Sequence, residues 1–340
     1  MKKIVECVPN FSEGRDIAKI EEIATEVRKI AGVRLLDVAP DSEHNRTVLT
    51  FVGEPESVKR AAYDAIVRAT AVIDMAGHKG KHPRLGACDV CPFVPVRGVT
   101  MADCVALANE LASEVGEKLS IPVYLYEEAA RVPERKSLAA IRAGEYEGLP
   151  EKLRDPRWKP DYGPSVFNAK TGATTIGARE FLIAYNVYLK TIDKEIAHKI
   201  ARIIRESGWI ATLDDGQKIR VPGIFRAVQA VGIVLEGLGV AQVSMNLTDY
   251  KVTPIHIVFE TIRELAEPGG PSVLYSEIVG LIPEAAILEA GRFYAPGARS
   301  GQELMEVAAR KLRLNCGIGS GLRNKIIEYL IEEEQECRTI

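Results

Sequence analysis

Two stretches of this chain run through the same order of apolar periodicities, strand–helix–strand–strand–helix–strand, and that order restricts the fold more than any other feature of the sequence. In the first, residues 3–9 form a β-branched run, and Ile17, Ile20, Ile23, Val27 and Ile30 mark one helical face. Residues 33–38 and 47–52 read as two strands of a hairpin joined by a polar segment. Pro55 opens a helix to about residue 75 with Val58, Ala61, Ala62, Ala65, Ile66, Ala69 and Ile73 inward, and residues 88–96 return to strand. Thr100 caps a helix to about residue 119, and 122–126 adds one more strand. The order recurs as strand 181–189, helix 193–206, strands 228–235 and 240–247, helix 254–266 and strand 272–281. Helical patterns near 283–292, 301–313 and 323–334 follow. With 340 residues available, this predicts an α/β (α+β sandwich) fold of two ferredoxin-like βαββαβ subdomains, 1–178 and 179–340. Between them, residues 156–177 are rich in Pro, Gly, Asn, Lys and Thr and lack a period, which suits a linker or binding loop.

Charge and composition exclude several function classes. Residues 1–178 carry 25 basic and 26 acidic side chains, and the remainder 19 and 21. Neither half has the basic excess of a nucleic-acid-binding domain. No apolar run approaches 18 residues and no signal peptide is read, so a cytoplasmic protein without a membrane span is expected. Six scattered cysteines are too sparse for a disulfide framework. Gly163 to Gly172 contains Lys-Thr, but Ala169 replaces the glycine that a phosphate-binding loop needs before the lysine. The glycines between 232 and 239 do not form a dinucleotide fingerprint.

The densest chemistry lies in residues 77–87, where His78, Lys79, Lys81, His82 and Arg84 occur with no acid. Pro83 biases His82 to an extended backbone, and the surrounding cations favour a neutral imidazole able to accept a proton near pH 7. Such a ring suits a general base; a solvated loop whose histidines bond only the backbone fits the same spacing. Zinc is disfavoured: Cys88 and Cys91 lie in an alternating strand pattern that points the thiols to opposite faces, and two buried small side chains are expected instead. A second polar concentration surrounds the hairpin, with Asp37, Asp41, Asn45 and Arg46. Turn chemistry explains the acids and the amide, whereas a guanidinium entering a strand calls for a fixed carboxylate or phosphate. Asn10 and its neighbours end the first strand just before a helix N-terminus, where an anion can dock.

These blocks resemble the glutamate formiminotransferase family. The resemblance rests on Val5-Glu-Cys-Val-Pro-Asn-Phe-Ser-Glu-Gly14, Asn45-Arg-Thr-Val48, His78-Lys-Gly-Lys-His-Pro-Arg-Leu-Gly-Ala87, Asp89-Val-Cys-Pro-Phe-Val-Pro-Val-Arg-Gly98, Ala140-Ile-Arg-Ala-Gly-Glu-Tyr-Glu147 and Ala241-Gln-Val-Ser244. It implies transfer of the formimino group from N-formiminoglutamate to N5 of tetrahydrofolate, the co-substrate with its glutamyl tail, without a metal. It also implies two sheets facing across a folate cleft, a homodimer, and a separate cyclodeaminase, because animal members continue into one. The family's catalytic histidine falls on His82. Its folate stretch falls on Gly163, Pro164, Ser165, Phe167 and Gly172, with Lys170 as an added tail contact. Arg46, Lys79, Lys81 and Arg84 are candidates for substrate carboxylates, with Asn10, Asp37, Asp41 and Asn45 as orienting groups. Animal members have an acid where this chain has Ala39, so either Asp37 or Asp41 takes its place or His82 works alone. A formyltransferase acting on 5-formyltetrahydrofolate and N-formylglutamate, or a folate binder without turnover, are the alternatives.

Overall fold

The first strand of the chain, β1 (Ile4–Cys7), is continued after a break by the two-residue β2 (Asn10–Phe11), and both sit at the centre of a sheet. The computed structural model describes residues 3–267, 270–317 and 320–337. The chain divides into two units, Met1–Glu180 and Phe181–Ile340. After β2 come α1 (Ile17–Arg28), β3 (Val33–Asp41), β4 (Arg46–Gly53), α2 (Pro55–Val72), β5 (Cys88–Arg97), α3 (Met101–Leu119), β6 (Val123–Glu127), α4 (Leu138–Arg142), α5 (Leu149–Lys152) and β7 (Thr174–Ala178). Strand β4 pairs antiparallel with β3 and with β1 and β2, which in turn pair antiparallel with β5. That is the ferredoxin-like strand order expected from the βαββαβ pattern.

Local sequence accounts for most of these elements. Asp16 caps α1 through the backbone N–H groups of Ala18 and Lys19, and Thr100 and Asp103 form a reciprocal capping box on α3. Helices α1, α2 and α3 bury Ile23, Val27, Ala61, Ala65, Leu107 and Leu111 against Val5, Cys7, Leu49, Phe51 and Phe93. Each fully buried large side chain contributes roughly 1.5–3 kcal/mol. Because strand side chains alternate, Asn10, Arg46, Val48 and Thr50 point to the face of β2 and β4 opposite α1 and α2. The face under α1, α2 and α3 holds the main core, and on the other face α4 and α5 pack Ile141 and Leu149 with Val90, Tyr124 and Tyr126 in a smaller cluster.

Two expectations are corrected here. The segment taken as linker or loop ends in a strand: β7 is buried throughout and lies between β5 and β6, parallel to both. A strand buried on both faces has no alternation to read, and Thr174, Thr175 and Gly177 hide its apolar character. The cysteine prediction also fails in its geometry. Asn10 pairs with Val90 but Phe11 pairs with Cys88, so Asp89 is the extra residue of a β-bulge. The bulge resets the alternation, and Cys88 and Cys91 both enter the helix-side core.

The second unit repeats the topology with β8 (Ile183–Leu189), α6 (Lys194–Ile204), a hairpin of β9 (Trp209–Thr212) and β10 (Lys218–Val221), β11 (Val228–Leu235), β12 (Val240–Leu247), α7 (Ile255–Ala266) and β13 (Val273–Val279). The pairing order is β11-β12-β8-β13, all antiparallel. Helices α8 (Glu284–Tyr294), α9 (Gly301–Lys311), α10 (Ser320–Arg323) and α11 (Ile327–Cys337) follow. The β9–β10 hairpin was absent from the sequence-based expectation, although Asp215-Gly216 between two short β-branched runs is its signal. Among the described residues no helix is long and apolar enough to cross a membrane.

The stretch before β7 is pinned by close backbone approach. Gly172 bridges to Gly86, adopts φ +68°, and would place a Cβ 2.1 Å from the Leu85 carbonyl oxygen. Gly172→Ala is expected to lower unfolding free energy by roughly 2 kcal/mol or more, measured by urea titration, since left-handed strain and the clash act together.

Candidate active site

Strand β4 begins at Arg46, which puts its guanidinium on the face opposite α1 and α2, beside Asn10 of the neighbouring strand. Arg46 Nη1 lies 3.3 Å from Asn10 Oδ1 and 3.2 Å from His82 Nε2. A guanidinium only donates, so Nε2 accepts and carries the lone pair, and the imidazole hydrogen is on Nδ1. Among the described residues no carboxylate pairs with Arg46, in contrast to the fixed anionic partner expected from sequence. His82 is half-buried, and its backbone N–H donates to the His44 carbonyl at 3.4 Å. Burial, then the charges of Arg46, Arg142 and His44, outweigh Asp41 and push its pKa down to about 3.

His78 is fixed in the opposite tautomer. Arg84 Nε donates to its Nδ1 at 3.3 Å, so Nε2–H donates to the Asn45 carbonyl at 2.9 Å. Burial and the charge of Arg84 lower its pKa against the Asn45 bond. Asn45 itself is buried in a left-handed conformation, φ +52°, closing the turn between β3 and β4. Its Oδ1 accepts from the Gly14 N–H at 3.0 Å and its Nδ2 donates to the Lys79 carbonyl at 2.9 Å. The amide thus ties three loops together.

The remaining candidate cations divide by partner. Arg84 is buried and bonds both Glu145, at 2.9 Å, and Glu147, at 2.6 and 2.9 Å. Lys81 is exposed and pairs with Glu43. Lys79 is exposed, has no ion pair among the described residues, and lines a cleft of about 450 Å³ with Arg84, Glu145 and Glu147.

Asp37, Ala39 and Asp41 share the face of β3 that carries Arg46, opposite Thr50, Val48 and Arg46 in turn. Asp41 accepts from the Glu43 and His44 N–H groups at 3.0 and 2.9 Å and contacts His44 Nδ1 at 2.7 Å. Burial raises its pKa, but these bonds and the charges of His44 and Arg46 hold it below the ordinary carboxylate value. No carboxylate is hydrogen-bonded to His82 among the described residues, and of these acids Asp41 acts on it through its charge.

The 163–172 stretch is anchored at both ends. Gly163 has φ +77°, with a Cβ position 2.1 Å from the Ile121 carbonyl oxygen, and Gly172 pairs with Gly86. Ser165 is exposed, Pro164 half-buried, and the Phe167 ring packs on Tyr146 at 5.4 Å. Lys170 Nζ donates to the Ala71 carbonyl at 3.1 Å. Backbone bonds from Ala87 to Thr171 and from Ala173 to Leu85 bring the end of this stretch against the histidine loop.

Sequence reasoning missed Arg142 and Asp89 as site residues. Arg142 ends α4, pairs with the buried Asp89, and its charge acts on both His82 and Arg46. An aspartate inside an otherwise apolar strand run was the available signal. No group of three or more His, Cys, Asp or Glu side chains among the described residues is arranged to hold a metal ion.

Fold and site together define a tandem ferredoxin-like α/β protein whose first unit carries a neutral histidine among arginines. Residues 4–179 match the N-terminal subdomain of the formiminotransferase domain, and residues 184–332 match the formiminotransferase domain. The formimidoyltransferase-cyclodeaminase of Gallus gallus is 45% identical over 99% of this chain, which spans 61% of that relative. Glutamate formimidoyltransferases of Streptococcus pyogenes serotype M1 and Thermoplasma acidophilum are 42% and 45% identical, each over 86% of this chain and over 94% and 92% of the relative. The chain belongs to the formiminotransferase family.

The depressed pKa of His82 has a defined sign in stability. Between about pH 6.5 and about pH 3 the unfolded chain binds a proton at this position that the folded chain does not, so stability falls as pH is lowered through that window. The His82 ring is expected to show flat NMR shifts between pH 5 and 8. Arg46→Gln, which removes a facing positive charge, should move its titration upward.

Proposed function

We propose that the chain transfers the formimino group of N-formiminoglutamate to N5 of tetrahydrofolate, giving 5-formiminotetrahydrofolate and glutamate, with His82 as the proton carrier. Family membership supports the reaction class. The single observation that carries the histidine's role is the contact between Arg46 Nη1 and His82 Nε2, which keeps one imidazole lone pair directed at a guanidinium that lacks a carboxylate.

A neutral imidazole with a pKa of about 3 is a weak base, and this is its state before substrate arrives. A substrate carboxylate docking on Arg46 competes for the same N–H donors, frees Nε2, and places a negative charge near the ring. Both changes raise the imidazole pKa toward the range where it accepts a proton. N5 of tetrahydrofolate then attacks the amidine carbon to form a tetrahedral intermediate. Nε2 takes the proton from N5 and delivers it to the departing glutamate nitrogen as the carbon–nitrogen bond breaks. Nδ1 keeps its hydrogen throughout, so one ring nitrogen performs both transfers. Among the described residues no carboxylate is hydrogen-bonded to the ring, so the tautomer rests on Arg46.

The 163–172 stretch is the folate-binding segment in this reading, since its end is hydrogen-bonded to the residues that follow His82. In this reading the protein acts in the cytoplasm as a homodimer. Glutamate release from N-formiminoglutamate and tetrahydrofolate is expected, with His82→Ala lowering kcat roughly 10²–10⁴-fold, the usual scale for general acid–base catalysis. Release from N-formylglutamate alone would move the protein to formyl transfer. Folate binding with no release from either donor would leave a binder without turnover.

A further inference from the structure

Resting on the transferase reading, we propose that Arg142, held in place by Asp89, is the second arm of a two-arginine clamp that, with Arg46, grips one carboxylate of the amino-acid donor. A donor with two carboxylates needs cations that are fixed in position and still have an N–H left to donate. Arg84 is taken by Glu145 and Glu147, and Lys81 by Glu43. Arg46 has no ion-pair partner among the described residues, and one guanidinium bonded to His82 and Asn10 must give up a contact to receive an anion.

Arg142 has the properties of a partner arm. Its partner Asp89 immediately precedes Val90, which lies opposite Asn10, the residue that Arg46 bonds, and its charge acts on both His82 and Arg46. Its Nη2 bonds Asp89 Oδ2, while Asp89 Oδ1 accepts the Leu85 N–H at 2.9 Å. Asp89 is only 1% exposed, so this carboxylate is a rigid support rather than a mobile counter-ion. It is aimed away from the core by the β-bulge, which breaks the strand's alternation at that residue. Arg142 Nε is buried and has no acceptor among the described residues. A buried donor without a partner is costly to keep, and an incoming carboxylate would satisfy it. Asp89 is the positioning residue and Arg142 the binding residue.

The test is steady-state kinetics of wild type, Arg142→Lys and Arg142→Gln, varying donor and tetrahydrofolate separately. N-formiminoglutamate is compared with analogues lacking either carboxylate, N-formimino-4-aminobutyrate and N-formiminoglutamine. Arg142→Gln is expected to raise the donor KM roughly 10- to 100-fold, the scale of a lost charge-assisted hydrogen bond, with the tetrahydrofolate KM unchanged. Arg142→Lys should recover part of the loss. For one of the two analogues the wild-type advantage over Arg142→Gln should vanish, because the carboxylate that the clamp holds is gone. An unchanged donor KM, or an equal defect with all three donors, overturns the proposal. Should wild type release no glutamate, the transferase reading fails. Calorimetric titration of N-formiminoglutamate into wild type and Arg142→Lys then still decides the clamp: weaker binding by the variant supports it, and equal binding overturns it.

Discussion

The buried guanidinium of Arg84 is the interaction on which the candidate site depends. It reaches His78 on one side and Glu145 and Glu147 on the other. Between those glutamates Tyr146 packs on Phe167 and donates its hydroxyl to the Ala169 carbonyl. One side chain thereby joins the histidine loop, the segment after α4 and the 163–172 stretch. Removing a single partner from such a buried ionic cluster leaves charge without compensation, which is why clusters of this kind hold loops in one geometry.

A second consequence of arginine chemistry is tautomer control. Because guanidinium nitrogens never accept, Arg84 at His78 Nδ1 and Arg46 at His82 Nε2 assign opposite hydrogens to the two rings. His78 spends its remaining N–H on the Asn45 carbonyl and becomes structural, whereas His82 keeps its lone pair on the open side of the sheet. Two histidines four residues apart thus end with different roles, decided by which nitrogen each arginine meets.

Much of this was legible in the sequence for clear reasons. The long helices and most strands follow from apolar period, proline placement and caps, and the duplicated order predicted the ferredoxin-like units. The density of His, Lys and Arg in residues 77–87 marked the loop. What the loop's residues do was less legible, because it depends on contacts across long sequence separations. Arg84 looked like a free cation until Glu145 and Glu147 were placed beside it. Arg46 seemed to require an anion and instead meets Asn10 and His82. Asn45 looked like turn chemistry, and is a turn residue whose amide also fastens the Gly14 and Lys79 loops.

Sequence alone determined the long helices and most strands in their order, the family blocks and the position of the candidate histidine, since each is set by local periodicity or by residues adjacent in the chain. Tertiary structure decided three further things: that Thr174–Ala178 is a buried strand between β5 and β6, that the bulge at Asp89 sends both cysteines to one core, and that Asp89 meets Arg142. The physical reason is common to all three. Parallel pairing, register shifts and buried ion pairs are settled by partners far away in sequence, and no local propensity encodes which partner arrives.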